Sequence, residues 1–489
     1  MISRTRPAPS RGFDILRWPV LGRFLRWRHA RSALGVPLLL LAALILLDGF
    51  TGPQLAPKNL ATVLIWVHYR GFLVLALLVA GNLFCMACPF MLTRNLARRF
   101  FRPARMWPRR LRNKWAAVVL FALLLFSYEL FDLWATPWWT AWLILAYFLA
   151  ALLIDSLFQR APFCKYVCPL GQFNFAASLS SPLEIKVRDP AVCLTCAGKA
   201  CISGRASSAA PGEGGGSQPA LRGCELNLYQ PLKVGNMDCT FCLDCVHACP
   251  YDNVGLLAHR PAAELVADPA RSGVGRFSQR PDLAALVLLF TFGALLNAFG
   301  MVSPVYEVET WLAGLLGVRS EALILGIIFL AGLVAVPGML VGLAAGLTRR
   351  WARLEAPLSR VAARYAYALA PFGLGMWLAH YAFHFLTGFW TFIPVVQGAL
   401  MDLGWPVLGA PRWQLGPLVP ATWLDPLELL LLGAGWLVSL GVAYSVSMEE
   451  APQRSWRAFL PWAVLLLLLF LAANWLMAQP MEMRGTALG

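Results

Sequence analysis

Cys239-Thr-Phe-Cys242-Leu-Asp-Cys245-Val-His-Ala-Cys249-Pro250 sets four cysteines in the spacing C-x2-C-x2-C-x3-C-P. Bacterial-type [4Fe–4S] runs have this spacing, and in them the fourth cysteine ligates the other cluster of a pair. A cubane needs four thiolates converging from different directions. A tight loop delivers three; the fourth leaves on a turn toward the second cluster, and the proline stops the chain from closing back. A structural zinc site also uses C-x2-C pairs, but it needs only four sulfurs and no third cysteine inside one loop. The stretch predicts a two-cluster iron–sulfur insert.

Upstream lie Cys193-x2-Cys196-x4-Cys201 and then Cys224. Exchange of fourth ligands assigns Cys193, Cys196, Cys201 and Cys249 to one cluster, and Cys239, Cys242, Cys245 and Cys224 to the other. The residues between Cys201 and Cys224 include Pro211-Gly-Glu-Gly-Gly-Gly-Ser217, a composition that packs no core and predicts a flexible loop outside the clusters. Leu183-Glu-Ile-Lys-Val187 alternates and predicts a strand. His247, inside the run, reads as cluster environment, and His29 and His259 as surface residues.

The chain around this insert is 59% hydrophobic and 13% charged over 489 residues, which points to a membrane protein. Its net charge of +16 comes as arginine blocks between apolar runs, the pattern of cytoplasmic loops. No basic stripe interleaved with aromatics lies on a soluble domain, which argues against a nucleic-acid partner. Nine spans are expected, near 34–50, 62–84, 115–133, 138–158, 282–302, 321–346, 362–388, 427–447 and 458–478. The loop 93–114 carries nine basic residues and no acid, so it is placed inside. The N-terminus and the insert are then cytoplasmic, in a bacterial inner membrane, and the C-terminus is outside.

The expected fold is a mostly α, polytopic helical membrane protein with an inserted α+β dicluster ferredoxin domain. Its parts are a basic segment 1–34, a four-helix membrane domain 35–158, the Cys-Pro segment and ferredoxin-like domain 159–260, a linker 261–281, a five-helix membrane domain 282–478 and an outer tail 479–489. The basic segment, with Trp18, Phe24, Leu25 and Trp27 among its arginines, reads as lying on the anionic inner leaflet or as a basic tail that keeps the N-terminus inside. An even cysteine count also fits a disulfide framework, but this topology puts all twelve near the cytoplasmic side, where thiols stay reduced.

The first four cysteines of the chain lie at the ends of two membrane helices, in Phe84-Cys85-Met-Ala-Cys88-Pro89, which ends the second span, and Phe163-Cys164-Lys-Tyr-Val-Cys168-Pro169, which follows the fourth. Buried inert thiols are one reading. Two matching Cys-Pro pairs at one depth favour a third four-thiolate centre, either iron–sulfur or a soft ion such as Cu(I), or a redox-active dithiol pair. Lys165 and nearby arginines are expected to lower the thiol pKa values.

Ionisable groups within a membrane are functional candidates. His380 and His384 share one helix face, and His68 and Arg70 lie in the second span, all in the expected outer half. They would hold haem b or bind quinone, or be histidines satisfied by backbone. Asp155 is expected to pair with Arg160.

Over about residues 60–260 the chain resembles the membrane polyferredoxins of the NapH/NosR/CcoG type. Those proteins join C-x3-C-P motifs at helix ends to a two-cluster ferredoxin insert; the first pair here is C-x2-C-P. The resemblance implies respiratory electron transfer, with a redox protein and the quinone pool as partners. An assembly factor that reduces copper with the same clusters is the alternative.

Overall fold

The computed structural model describes residues 12–101, 103–206 and 220–480. Arg4, Arg6 and Arg11 of the basic segment, the glycine loop 211–217 and nearly all of the tail 479–489 lie outside the described residues. In chain order the long apolar helices are α1 (Ala30–Thr51), α2 (Leu60–Ala80), α3 (Trp115–Leu130), α4 (Pro137–Leu157), α5 (Pro281–Phe299), α6 (Glu321–Ala352), α7 (Leu358–Thr387), α8 (Ala421–Glu450) and α9 (Pro452–Met477). Among the described residues seven of them are long and apolar enough to cross a bilayer. The other two are α3, which is shorter, and α7, which qualifies only together with Phe389–Asp402, a helix bent by 54° against it. The chain is a multi-pass membrane protein.

Local chemistry sets the helix ends. Asn59 opens α2 by accepting the Ala61 amide at 2.8 Å, and Gly81 ends it at φ 63, a backbone conformation that favours glycine. Proline stands in the first turn of α4 and α5, where its missing N–H is no loss. The stretch 389–426, expected as an outer loop, begins with the helix Phe389–Asp402. That helix returns to the start of α2, so that Val395 and Ala399 pack with Leu60, Ala61 and Val63. Its apolar run is too short to read as a span, which is why composition placed it in a loop.

The N-terminal helices and α5–α9 meet where α2 packs on α7 and α3 packs on α5 and α6. At Gly71 an added Cβ would collide with the Phe385 ring, so glycine is what allows α2 and α7 to approach there. The helix Pro169–Ala177, which follows the second Cys-Pro pair, is almost wholly buried and touches α2, α3, α5 and α7.

Below it sits the insert. The expected strand is β1 (Leu183–Val187), paired antiparallel with β2 (Val254–Ala258) so that Ile185 faces Leu256. Residues 12–29 of the basic segment pack on this sheet. Asp14 bridges to Leu257, the Ala258 amide donates to the Phe13 carbonyl at 2.9 Å, and Leu16 and Leu25 are buried. Arg188 secures Asp14 at 2.8 Å, and Arg26 reaches Asp252 at 3.2 Å.

Candidate functional site

The twelve cysteines are all free and fall into three groups of four. The outermost group is Cys193, Cys196, Cys201 and Cys249, which line one small hollow with Lys199, Tyr229 and Tyr251. Asp189 caps the helix that presents Cys193, accepting the Ala191 amide at 2.8 Å, and proline follows in its first turn. Asn253 donates its side-chain amide to Cys193 Sγ and its backbone N–H to Cys249 Sγ, both at 3.3 Å. Among the described residues between 159 and 280, the large apolar side chains left exposed are Leu194, Leu232 and Tyr251. Each belongs to a loop that lines this hollow or adjoins a residue that does.

The second group is buried more deeply. It comprises Cys224, Cys239 and Cys245, all buried, and the half-buried Cys242. The loop through Cys239, Cys242 and Cys245 turns at Asp238, Phe241 and Leu243, all with positive φ, which is how so short a segment aims three sulfurs inward. The Leu228 amide donates to Cys224 Sγ at 3.4 Å. Burial pushes the Cys224 thiol up to about 11, and those of Cys242 and Cys245 well above the ordinary value.

The third group lies where the membrane helices meet the insert. Cys85, Cys88, Cys164 and Cys168 line one cavity of about 770 Å³. In both motifs the second cysteine stands just before a helix that begins at or next to the proline, Phe90–Phe100 after Cys88 and Pro169–Ala177 after Cys168. The Gly171 amide donates to Cys168 Sγ at 3.2 Å. The unequal spacings meet at one site because Cys85 sits on the α-helical turn Leu83–Met86, whereas Cys164 sits on the π-helical turn Phe163–Val167, whose wider ring takes up the extra residue. Burial raises the thiols here, Cys85 to about 12, against the expected lowering. Lys165 turns away from them, donating to the Leu226 carbonyl at 2.8 Å and pairing with Asp238 at 3.5 Å. Asp155 pairs with Arg94 at 3.5 Å, not with Arg160, which donates to the Cys224 carbonyl.

The same cavity runs into the membrane, where Trp66, His68, Arg70, Tyr128, Tyr381 and Phe392 line it. Arg70 lies among three aromatic faces, with its guanidinium 4.3 Å from the rings of Trp66 and Tyr128 and 4.8 Å from Tyr381. It also donates to the Tyr128 hydroxyl at 3.2 Å. His68, on the π-helical stretch Val63–Tyr69, has carbonyl oxygens at both ring nitrogens, Val63 at 3.0 Å and Phe389 at 2.8 Å. His380 and His384 stack edge to face at 5.0 Å and do not line the cavity. His380 is fully buried, with no hydrogen-bond partner at either ring nitrogen.

Sequence reasoning missed Tyr128, Tyr381, Asn82 and Asn174. Asn82 donates to the Cys239 carbonyl at 2.7 Å and Asn174 to Cys85 Sγ at 3.1 Å. Buried asparagines beside cysteine motifs are a weak signal, but one the sequence does carry.

The donor sets suit iron–sulfur clusters. Each consists of thiols alone, and several sulfurs already accept N–H donors, the contacts that tune cluster potentials. Among the described residues no three His, Cys, Asp or Glu side chains converge closely enough for one metal ion. In a cubane each thiolate binds a different iron, so its sulfurs stand farther apart than the ligands of a single ion.

No family model matches the chain, and no solved structure matches it. A curated protein of Escherichia coli (strain K12), named "Putative electron transport protein YccM", is 30% identical over 99 residues. That match spans 20% of this chain and 22% of the relative.

Proposed function

We propose that this chain is an inner-membrane electron-transfer protein of the polyferredoxin type, carrying [4Fe–4S] clusters at the two thiol groups of the insert. The observation that carries the proposal is the succession of three thiol quartets, one near the surface, one buried, and one on a cavity that enters the membrane. The partial likeness to a protein named for electron transport supports it. So does the hydrogen bond from Asn82, three residues before Cys85, to the Cys239 carbonyl at 2.7 Å, which links the second and third quartets.

In this reading a soluble redox protein docks over Leu194, Leu232 and Tyr251 and exchanges electrons with the outermost quartet. The insert and the N-terminus face the cytoplasm, α3 and the bent α7 complete nine spans, and the C-terminus is outside. The cavity takes a quinone. Its volume lies in the range of small-molecule sites, and its apolar walls suit an isoprenoid tail. Arg70 supplies N–H donors to a carbonyl oxygen at the cavity's membrane end. Two electrons, passed singly, and two protons convert quinone to quinol, and the reverse releases them. Haem b is the weaker reading, because both His68 nitrogens already face carbonyls and the other two histidines share one helix.

The test is anaerobic mixing of the oxidised protein with a short-chain quinol, followed by EPR. Cluster signals should appear, and Arg70→Gln should abolish them while dithionite still reduces the clusters. Quinol that leaves the clusters oxidised at every ratio would defeat the quinone reading.

The copper-reducing alternative rests on a different contact. Met91 Sδ lies 3.5 Å from Cys164 Sγ, which sets a thioether and a thiol side by side, and soft sulfur ligands of this kind select Cu(I). Copper bound at the membrane quartet, lost in Met91→Ala with the insert clusters intact, would favour that reading.

A further inference from the structure

Arg31 reads in the sequence as one more charge of a basic tail. In the fold it pairs with the loop of the second thiol quartet. Its guanidinium is 3.7 Å from the Asp244 carboxylate, on the loop between Cys242 and Cys245. One turn further along α1, Gly35 faces the loop between Cys85 and Cys88, where an added Cβ would lie 3.4 Å from the Ala87 carbonyl. Residues four apart share a helix face, so Arg31 looks onto both loops.

Its side chain is 15% exposed, and Nε and one terminal nitrogen are buried without any acceptor. A buried charged donor left unpaired is expensive, so an acceptor belongs beside it. Nearby acids do not fill that role. Glu225 receives Arg94 at 2.7 Å, and Asp244 meets Arg31 through the other terminal nitrogen. Cys242, Cys85 and Cys88 all feel the charge of Arg31. Thiolates and sulfide bound to iron are anionic acceptors of the kind these donors lack.

We propose that Arg31 is a positioning residue shared by the two inner redox centres, donating N–H groups to the sulfur atoms of the second quartet and of the Cys85–Cys88 loop. Its charge favours the reduced, more negative form of the second-quartet cluster and so raises its potential. The proposal rests on the insert's cysteine groups being cluster sites, as argued above.

The experiment is an EPR-monitored redox titration of the full-length protein in detergent, with iron and sulfide measured on each sample. Cys193→Ser and Cys242→Ser identify which signal belongs to which quartet. Arg31→Gln should keep the cluster content and shift the second-quartet equilibrium about tenfold toward oxidation, about 59 mV for one electron. The outermost cluster should not move. Arg31→Lys should recover most of the shift, and Asp244→Asn should move the same signal the opposite way. The Asp244 variant keeps the test alive should Arg31→Gln fail to fold. Clusters present with potentials indifferent to both residues, or shifting equally in both quartets, would overturn the proposal. A parent protein with no cluster signal would instead overturn the reading beneath it.

Discussion

The side-chain amide of Asn82 donates to the backbone carbonyl of Cys239 at 2.7 Å, across 157 residues of sequence. Asn82 lies just past the end of α2, so this bond ties a membrane helix to the loop that opens the second quartet. Gly81, beside it, lets the chain turn. An added Cβ there would lie 2.8 Å from Ser181 Oγ and 2.9 Å from the Phe241 ring.

Asn82→Ala leaves a buried carbonyl unpaired and should destabilise the protein by about 1–3 kcal/mol. Gly81→Ala should be worse, because it adds strain at positive φ to a clash with Phe241. Thermal unfolding in detergent orders the two. An alanine at 81 that unfolds like the parent would show that this contact does not secure the junction.

Cys85 and Cys168 should act as members of one site. Cys85→Ala and Cys168→Ala should each remove whatever the membrane quartet holds or does, and the double variant should be no worse than either. Metal content and quinol exchange measure this. Additive losses would mean two independent thiol pairs.

Glu264 gives the insert a pH dependence. Its carboxyl accepts the Asn236 amide at 3.0 Å in a buried setting that pushes its pKa up to about 8, with Arg271 opposing the shift. A carboxyl raised in the folded state holds its proton more tightly than in the unfolded chain. That contribution is complete below about pH 4.5 and is lost as pH rises through about 8. Glu264→Gln should therefore flatten the thermal midpoint across this window. An unchanged slope would assign it to other groups.

Much of this arrangement is legible in the sequence, for local reasons. The spacing of Cys239, Cys242, Cys245 and Cys249 specifies a loop, alternation at 183–187 specifies a strand, and apolar runs locate most of the membrane helices. Cys193, Cys196, Cys201 and Cys249 line one hollow, and Cys85, Cys88, Cys164 and Cys168 line another. What escaped depends on contacts between distant segments. Asp14 meets Leu257, Arg94 takes Asp155 from Arg160, and Lys165 turns to Asp238. No local pattern records such choices, because each depends on which buried carboxylate lies within reach once the helices have packed. The burial that raises the thiols is likewise a property of the assembled fold.

The central claim is that the insert's eight cysteines hold two clusters. Mössbauer spectroscopy of full-length protein purified anaerobically from cells grown on iron-57 tests it most directly. The account predicts about eight iron atoms per chain in cubane signals, halved in Cys242→Ser with the remaining signal unchanged in kind. Zinc in place of iron, or a protein that folds and reaches the membrane without either, would contradict it.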